Sequence, residues 1–361
     1  MNHMNVEPRA PTGIVLMNLG GPQTTDAVAP YLRRMFLDRE LIPLPLQRVL
    51  GPFIASRRAP KVALKYGEIG GKSPIYDWTQ RQGTGMVQWL DTLSPETAPH
   101  KFYIGFRYAE PLAETALLQM RADGVSRAIA FSQYPQWSCS TTGASLNDLW
   151  RTVRRLDAEQ AFKWSIIDRW PVHTGFIAAM ADTVRRGVDL FDPADRGDVL
   201  LLFSAHSLPL SVIDRGDAYP QEIGASVQAV MTALGFSHKY MLAYQSDIGP
   251  VRWLGPNTDK VVQQFGRSGP RHVLVVPIAF TSDHIETLHE IDIEMQETAK
   301  HAGVILKRAP ALNDSPLFIR AMADVVLAHL HNGEVHSAQY PLKCAGCVND
   351  QCRVLLNPAH M

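Results

Sequence analysis

The chain has no surplus of charge: Lys+Arg and Asp+Glu each number 35 in 361 residues. No overall field draws it to nucleic acid, and a nucleic-acid partner is not expected. Long apolar runs are missing too. The longest stop after about 8 residues, where a membrane-spanning helix needs roughly 20. Cysteine is scarce, four in all, which excludes a disulfide-built scaffold. The opening residues, MNHMNVEPRAPTG, lack the apolar stretch of a secretory signal and the Arg/Ser-rich pattern of a transit peptide. A cytoplasmic chain is therefore expected. Two motif classes are absent as well. Gly20-Gly21-Pro22 fits neither G-x-G-x-x-G nor Walker A and reads as a tight strand-to-helix turn. No G-x-S-x-G elbow occurs, which counts against a Ser-His-Asp hydrolase.

What is present is a rhythm. Short apolar, β-branched runs fall at 13–19, 102–106, 127–131, 164–167, 198–203, 240–244, 272–278 and 304–306, separated by helix-length patterns such as 24–36, 78–90 and 112–122. Strands alternating with helices predict parallel sheets covered on both faces. Four strands in each half predict two similar Rossmann-like α/β lobes, each a four-stranded parallel sheet flanked by helices, with the active-site cleft between them. The first lobe is expected over 12–165, the second over 166–340, and a cysteine-rich segment over 341–361. Ligands of such sheets sit beyond the carboxyl ends of the strands.

The informative residues fall at those ends. The run 273–278 breaks at Thr281-Ser282-Asp283, residues suited to starting a helix. The helix that follows places Ile285, Leu288, Ile291 and Met295 on one face. Asp283, Glu286, Glu290, Glu294 and Glu297 form an acidic stripe on another. Like charges four apart weaken a helix by a few tenths of a kcal/mol per pair. The stripe is either a solvated face or a site, and Glu286 could instead close a capping box with Asp283. Phe280 and His284 at the turn favour a site. A second strand, 198–203, delivers Ser204, His206 and Ser207 to its carboxyl end. An imidazole and a carboxylate on adjacent strand ends suit a divalent metal or proton movement near neutral pH.

Two further stretches stand out. Residues 41–53 (LIPLPLQRVLGPF), followed by Arg57, Arg58 and Lys61, suit a membrane interface or the cover of a greasy ligand, or simply pack on their own core. Cys344, Cys347 and Cys352 give C-x2-C-x4-C near the C-terminus, with Cys139 remote. Gly346, Pro341 and Asn349 supply turns that let the three converge. Four thiols meet the ligand count of an iron–sulfur cluster or a structural zinc.

Phe203 to Pro209 (FSAHSLP) together with Thr281 to Leu288 (TSDHIETL) resembles the paired signature of the ferrochelatases, enzymes that insert ferrous iron into a porphyrin. The match extends through LMNLGGP, PFIASRRAPK, GGKSPI, FRYAEP, YPQWSCSTTG and YQSDIGPVRWL, in the right order over nearly the whole chain. The resemblance implies insertion of Fe2+ into protoporphyrin IX to give haem, with release of two pyrrole protons. It makes His206 and Glu286 the catalytic and iron-facing residues, on opposite faces of the macrocycle. Asp283, Glu290 and Glu294 become a relay for protons or metal. Leu19, Tyr66, Arg107, Tyr108, Trp253, Phe280 and His284 become pocket positions, and Arg57, Arg58 and Ser73 candidates for the porphyrin propionates. The stretch near 41–60 becomes the lip of the pocket. The cysteine pattern resembles that of the family's cluster-bearing members, which implies a [2Fe–2S] cluster on Cys139, Cys344, Cys347 and Cys352. A homodimer, and a peripheral contact with the inner face of the cytoplasmic membrane, are further implications.

Overall fold

β1 (Thr12–Asn18) is buried at every residue, as a central strand covered on both faces must be. A computed structural model describes residues 9–156, 161–249 and 251–353. Residues 1–8, and the end of the cysteine-rich segment, 354–361, lie outside the described residues. After β1 come α1 (Val28–Leu37), α2 (Gln47–Glu68), α3 (Ile75–Leu93), β2 (His100–Phe106), α4 (Ala113–Ala122), β3 (Arg127–Ser132), α5 (Ala144–Arg155) and β4 (Lys163–Ile167). The second half runs α6 (Thr174–Val188), β5 (Leu200–His206), α7 (Leu210–Ile213), α8 (Tyr219–Ala233), β6 (Tyr240–Gln245), α9 (Thr258–Ser268) and β7 (His272–Pro277). It closes with α10 (Ile285–Leu288), α11 (Gln296–Ala302), β8 (Ile305–Arg308) and α12 (Pro316–Asn332).

The two four-stranded sheets have the same order, β2-β1-β3-β4 and β6-β5-β7-β8, and every pairing is parallel. In both, the chain reverses direction across the sheet after its second strand. The crevice beyond the carboxyl ends therefore opens between β1 and β3, and between β5 and β7. One apolar core joins the lobes: Ile14, Leu16 and Phe131 of the first sheet belong to the same buried cluster as Phe203, Leu274 and Val276 of the second. Such an apolar seam holds two sets of strand ends in a fixed relation.

The turn after β1 shows why two glycines stand there. Gly20 has φ +75, and a Cβ at Gly21 would lie 2.5 Å from Ser73 Oγ. Only glycine lets the turn close on the loop before α3. α2 is longer than the apolar stretch alone predicts and contains Pro52 and Pro60. Gln47 anchors its start, donating to Phe36 O and Ile42 O. Its outer face leaves Leu46, Val49, Phe53 and Leu64 exposed. Among the described residues no helix is long and apolar enough to cross a membrane.

Candidate active site

β5 ends at His206, and the loop after β7 leads into Glu286 at the first turn of α10. Because β5 and β7 are hydrogen-bonded neighbours, with Ser204 opposite Pro277, both side chains emerge from the same lobe and meet. His206 Nδ1 lies 2.9 Å from Glu286 Oε2. The arrangement on opposite faces of a macrocycle is therefore corrected: in this structure the pair is in direct contact on one side of the cleft. His284 Nε2 approaches the same carboxylate oxygen at 3.6 Å.

The electrostatics follow from this contact. Burial alone would push the Glu286 carboxyl up, but attraction to His206 and the hydrogen bonds from His206 and His284 hold it well below the usual carboxylate range. Burial would depress the His206 imidazole, and the Glu286 charge and hydrogen bond outweigh that and raise it. Glu290, one turn on, behaves oppositely. Burial first, then repulsion from Glu286, pushes its carboxyl up to about 7, although Ser246 and Gln245 donate to it at 2.5 and 3.2 Å. Gln245 Nε2 also donates to the backbone oxygen of Glu286 at 3.0 Å, so one amide ties the two acidic residues together.

The pocket around the pair is lined by Leu19, Tyr66, Ser73, Phe280 and His284, as the resemblance implies. It is also lined by Tyr31, Tyr134 and Tyr219, which the sequence reading did not single out. Tyr134 stands in the YPQWSCSTTG motif, a signal that was available. Tyr31 on α1 and Tyr219 on α8 arrive only through tertiary folding. Tyr134 OH accepts from Leu19 N–H at 2.9 Å, and Tyr219 OH donates to His206 O at 3.0 Å, fixing the strand end that bears the imidazole. Burial pushes all four tyrosine hydroxyls up, and the nearby Glu286 charge adds to it. They stay protonated, and their rings make flat walls suited to a planar apolar ring.

Other expected pocket residues lie elsewhere. Arg107 turns away into acids on α5 and the α1–α2 loop: Nη2 meets Asp38 at 2.6 Å and Nη1 meets Asp148. Tyr108 donates to the same Asp38 oxygen at 2.6 Å. Buried guanidinium needs such partners, and Arg107 finds them outside the pocket lining. Trp253 lies on the loop after β6, its Nε1 donating to Ile248 O at 3.0 Å, outside the lining. Arg57 and Arg58 are on α2, over the Phe53 and Phe36 rings at 5.7 and 5.8 Å, and neither lines the pocket. Of the relay residues, only Glu290 adjoins the pair. Asp283 is held by Arg308 at 3.0 Å and by Asn313 at 2.8 Å, and Glu294 by Lys65 at 2.7 Å. The helix cap also differs: His284 caps α10 with Thr287, in place of Asp283 with Glu286.

The described part of the cysteine-rich segment touches both lobes. Gly346 N–H donates to Arg215 O at 2.9 Å, and Asn349 Nδ2 donates to Glu40 Oε1 at 2.9 Å, beside pocket residue Leu41. Cys139 opens a π turn, Cys139–Gly143, where its backbone N–H donates to Asp217 at 2.7 Å. All four cysteines are free thiols. The Cys344 sulfur raises the Cys139 thiol, and Cys347 and Cys344 raise that of Cys352, so the C-terminal cysteines lie in the neighbourhood of Cys139. Burial keeps Cys139, Cys344 and Cys352 protonated. A bound cation is what draws protons from such thiols. The donor set fits a thiolate-ligated metal group, although among the described residues no three ligands stand at metal-holding geometry.

Fold and site define a two-lobed α/β protein that presents an imidazole–carboxylate pair inside an aromatic, tyrosine-walled cleft. The family model described as Ferrochelatase matches residues 11–330. The chain is 53% identical over 353 residues to the mitochondrial ferrochelatase of Xenopus laevis, spanning 97% of this chain and 86% of that one. It is 53% identical over 351 residues to that of Bos taurus (97% and 84%) and 52% identical over 344 residues to that of Homo sapiens (95% and 81%). The chain belongs to the ferrochelatase family, whose reaction is the insertion of ferrous iron into protoporphyrin, the terminal step of haem synthesis. These relatives are mitochondrial enzymes, which overturns the expectation of a cytoplasmic chain. The missing leader pattern was its ground, and that pattern does not decide a compartment.

Proposed function

We propose that His206 and Glu286 are the reacting pair of this ferrochelatase, and that Glu290 passes protons out. The observation that carries the reading is the 2.9 Å contact between His206 Nδ1 and Glu286 Oε2. It fixes the imidazole through one nitrogen and leaves Nε2 for the pocket. Metalation breaks two pyrrole N–H bonds, forms the iron–nitrogen bonds and releases two protons, with no change in the oxidation state of iron. A base strengthened by an adjacent carboxylate suits the first proton, which His206 takes at Nε2 while Glu286 stabilises the imidazolium. While His206 is neutral, the same pair offers entering Fe2+ a nitrogen and an oxygen donor. Once Nε2 carries the first proton, only the Glu286 oxygen remains a donor, and the second proton falls to Glu290 in its ionised form. Glu290, with its carboxyl at about 7, gains and loses a proton near neutrality, and Ser246 carries the hydrogen-bond path toward the exposed loop at Asp247.

Cys139, Cys344, Cys347 and Cys352 would hold the [2Fe–2S] cluster that the family resemblance implies; when bound it would cross-link the C-terminal segment to the π turn at Cys139. The exposed apolar face of α2, with Arg57 and Arg58 beside it, suits peripheral contact with a lipid surface. Self-association into a homodimer rests on the resemblance.

The decisive experiment is anaerobic mixing of the purified protein with protoporphyrin and Fe2+, followed by the porphyrin spectrum, beside His206→Ala and Glu286→Ala. Metalation by wild type, lost in both variants, is the expected outcome. Metalation that survives both substitutions would remove the pair from the mechanism.

A further inference from the structure

The acidic helix is not one continuous α-helix. Between α10 and α11 it widens into a π turn over Glu290–Met295, where Glu294 N–H donates to His289 O, five residues back, at 3.0 Å. Such turns are rare and occur frequently at functional sites, so the surroundings that hold this one are informative. They centre on a single guanidinium. Arg308, the last residue of β8, reaches Asp283 Oδ1 with Nη1 at 3.0 Å. It also forks onto Asp292, Nε to Oδ1 and Nη2 to Oδ2, both at 2.7 Å. Asp283 precedes α10, Asp292 lies within the wide turn, and Glu286 and Glu290 lie between them. One side chain thus ties the two ends of the stretch that bears both reacting-site carboxylates.

The tie is stiff. The Arg308 and Asp283 side chains are only 13% and 14% exposed, so solvent screens their attraction weakly. A bidentate fork fixes direction as well as distance. Asp283 is in turn braced by Asn313 Nδ2, its own backbone N–H bonding Asn313 Oδ1, both at 2.8 Å, and by Thr287 Oγ1 at 2.9 Å. Neither Arg308 nor Asp292 lines the pocket.

We infer that Arg308 is a positioning residue for iron handling: by tying Asp283 to Asp292 across the π turn, it sets where Glu290 stands behind Glu286. The inference rests on the reading of Glu286 as part of the reacting pair.

The test is steady-state metalation of protoporphyrin by Arg308→Met, Arg308→Lys and Asp292→Ala, with KM measured for both substrates and amide hydrogen exchange followed over 286–295. Supporting groups behind metal ligands typically alter affinity or activity by about 10–100-fold. Arg308→Met and Asp292→Ala are expected to raise the KM for Fe2+ in that range, leave the KM for porphyrin unchanged and speed exchange in the π turn. Arg308→Lys keeps the charge but loses the fork, and is expected to recover part of the loss. Glu297→Gln, an exposed acid on the same helix, controls for charge alone and should change neither constant. If Arg308→Met does not fold, Asp292→Ala carries the test, because its carboxylate is already 34% exposed. An unchanged KM for Fe2+ in folded Asp292→Ala, or an equal rise in Glu297→Gln, overturns the inference. Wild-type turnover by Glu286→Ala would instead remove the reading beneath it, so the two failures are distinguishable.

Discussion

Glu290→Gln is the substitution on which the structure makes its sharpest statement, because it should stabilise the protein while disabling it. The carboxyl of Glu290 rises from 4.5 to about 7 through burial and the neighbouring Glu286 charge. Between those values the folded protein keeps a proton that the unfolded chain has released, so stability falls as pH rises through the window. The span, 7 minus 4.5, at 1.36 kcal/mol per pH unit, amounts to about 3 kcal/mol. Glutamine mimics the protonated form at every pH and accepts the Gln245 donor through its own oxygen. Glu290→Gln should therefore match wild type near pH 4 and exceed it by about 3 kcal/mol near pH 8. An unfolding entropy of about 2.1 cal/mol/K per residue over 361 residues turns this into roughly 4 °C of Tm. The neighbours do not mimic the effect. Glu286, depressed, contributes stability that is already complete above about 4.5, and His206, raised above 6.5, loses its contribution only at the upper end of the window. Thermal melts of both proteins from pH 4 to 8.5 measure the difference, and metalation at pH 7 should fall by about 10²–10⁴-fold, the usual worth of a proton-transfer group. Parallel Tm profiles, or full turnover by the variant, would refute the argument.

Arg107→Met should lower stability by about 3 kcal/mol, since it strips the buried Asp38 carboxylate of its cation and leaves it only the Tyr108 hydroxyl, while Asp148 keeps Arg151 at 4.0 Å. It should leave the KM for porphyrin unchanged; a raised porphyrin KM in a stable variant would return Arg107 to the pocket. Cys347→Ser should abolish visible iron–sulfur absorbance and lower Tm, and retention of both would remove Cys347 from the ligand set. Leu46→Glu with Phe53→Glu, at side chains 77% and 58% exposed, should cut cosedimentation with anionic lipid vesicles without changing the circular dichroism spectrum; undiminished vesicle binding would dismiss α2 as the lipid-facing surface.

The strands were legible because a buried parallel strand is a local fact: a short β-branched run between turn residues announces itself, and all eight runs became strands. The placement of His206 and Glu286 at one end of one sheet was legible for a related reason, since β5 ends on His206 and the loop and short helix after β7 carry Glu286. What was hidden depends on partners remote in sequence. Arg107 reads like a pocket cation until Asp38 and Asp148, 69 residues before and 41 after it, are seen to capture it. The π turn was hidden because apolar spacing of three and four fits both an α-helix and a helix locally one residue wider.

The acidic stripe shows most clearly how partners divide residues that sequence makes equivalent. Asp283, Glu286, Glu290 and Glu294 are carboxylates in one row. Asp283 meets Arg308 and becomes a brace; Glu294 meets Lys65 at 2.7 Å and becomes a half-exposed surface pair. Glu286 meets an imidazole and stays ionised at the cleft. Among the described residues Glu290 forms no ion pair with a lysine or arginine, and its donors are neutral, an amide and a hydroxyl. Buried beside another carboxylate with no cation of its own, it is the member of the row that holds a proton near neutral pH. Supplying a cation there should abolish that property: a lysine at Ser246 would draw the Glu290 carboxyl down toward its ordinary range and remove the near-neutral step from the pH dependence of stability, while leaving Asp283 and Glu294 as they are. A near-neutral step that persisted in Ser246→Lys would mean that some other group carries it.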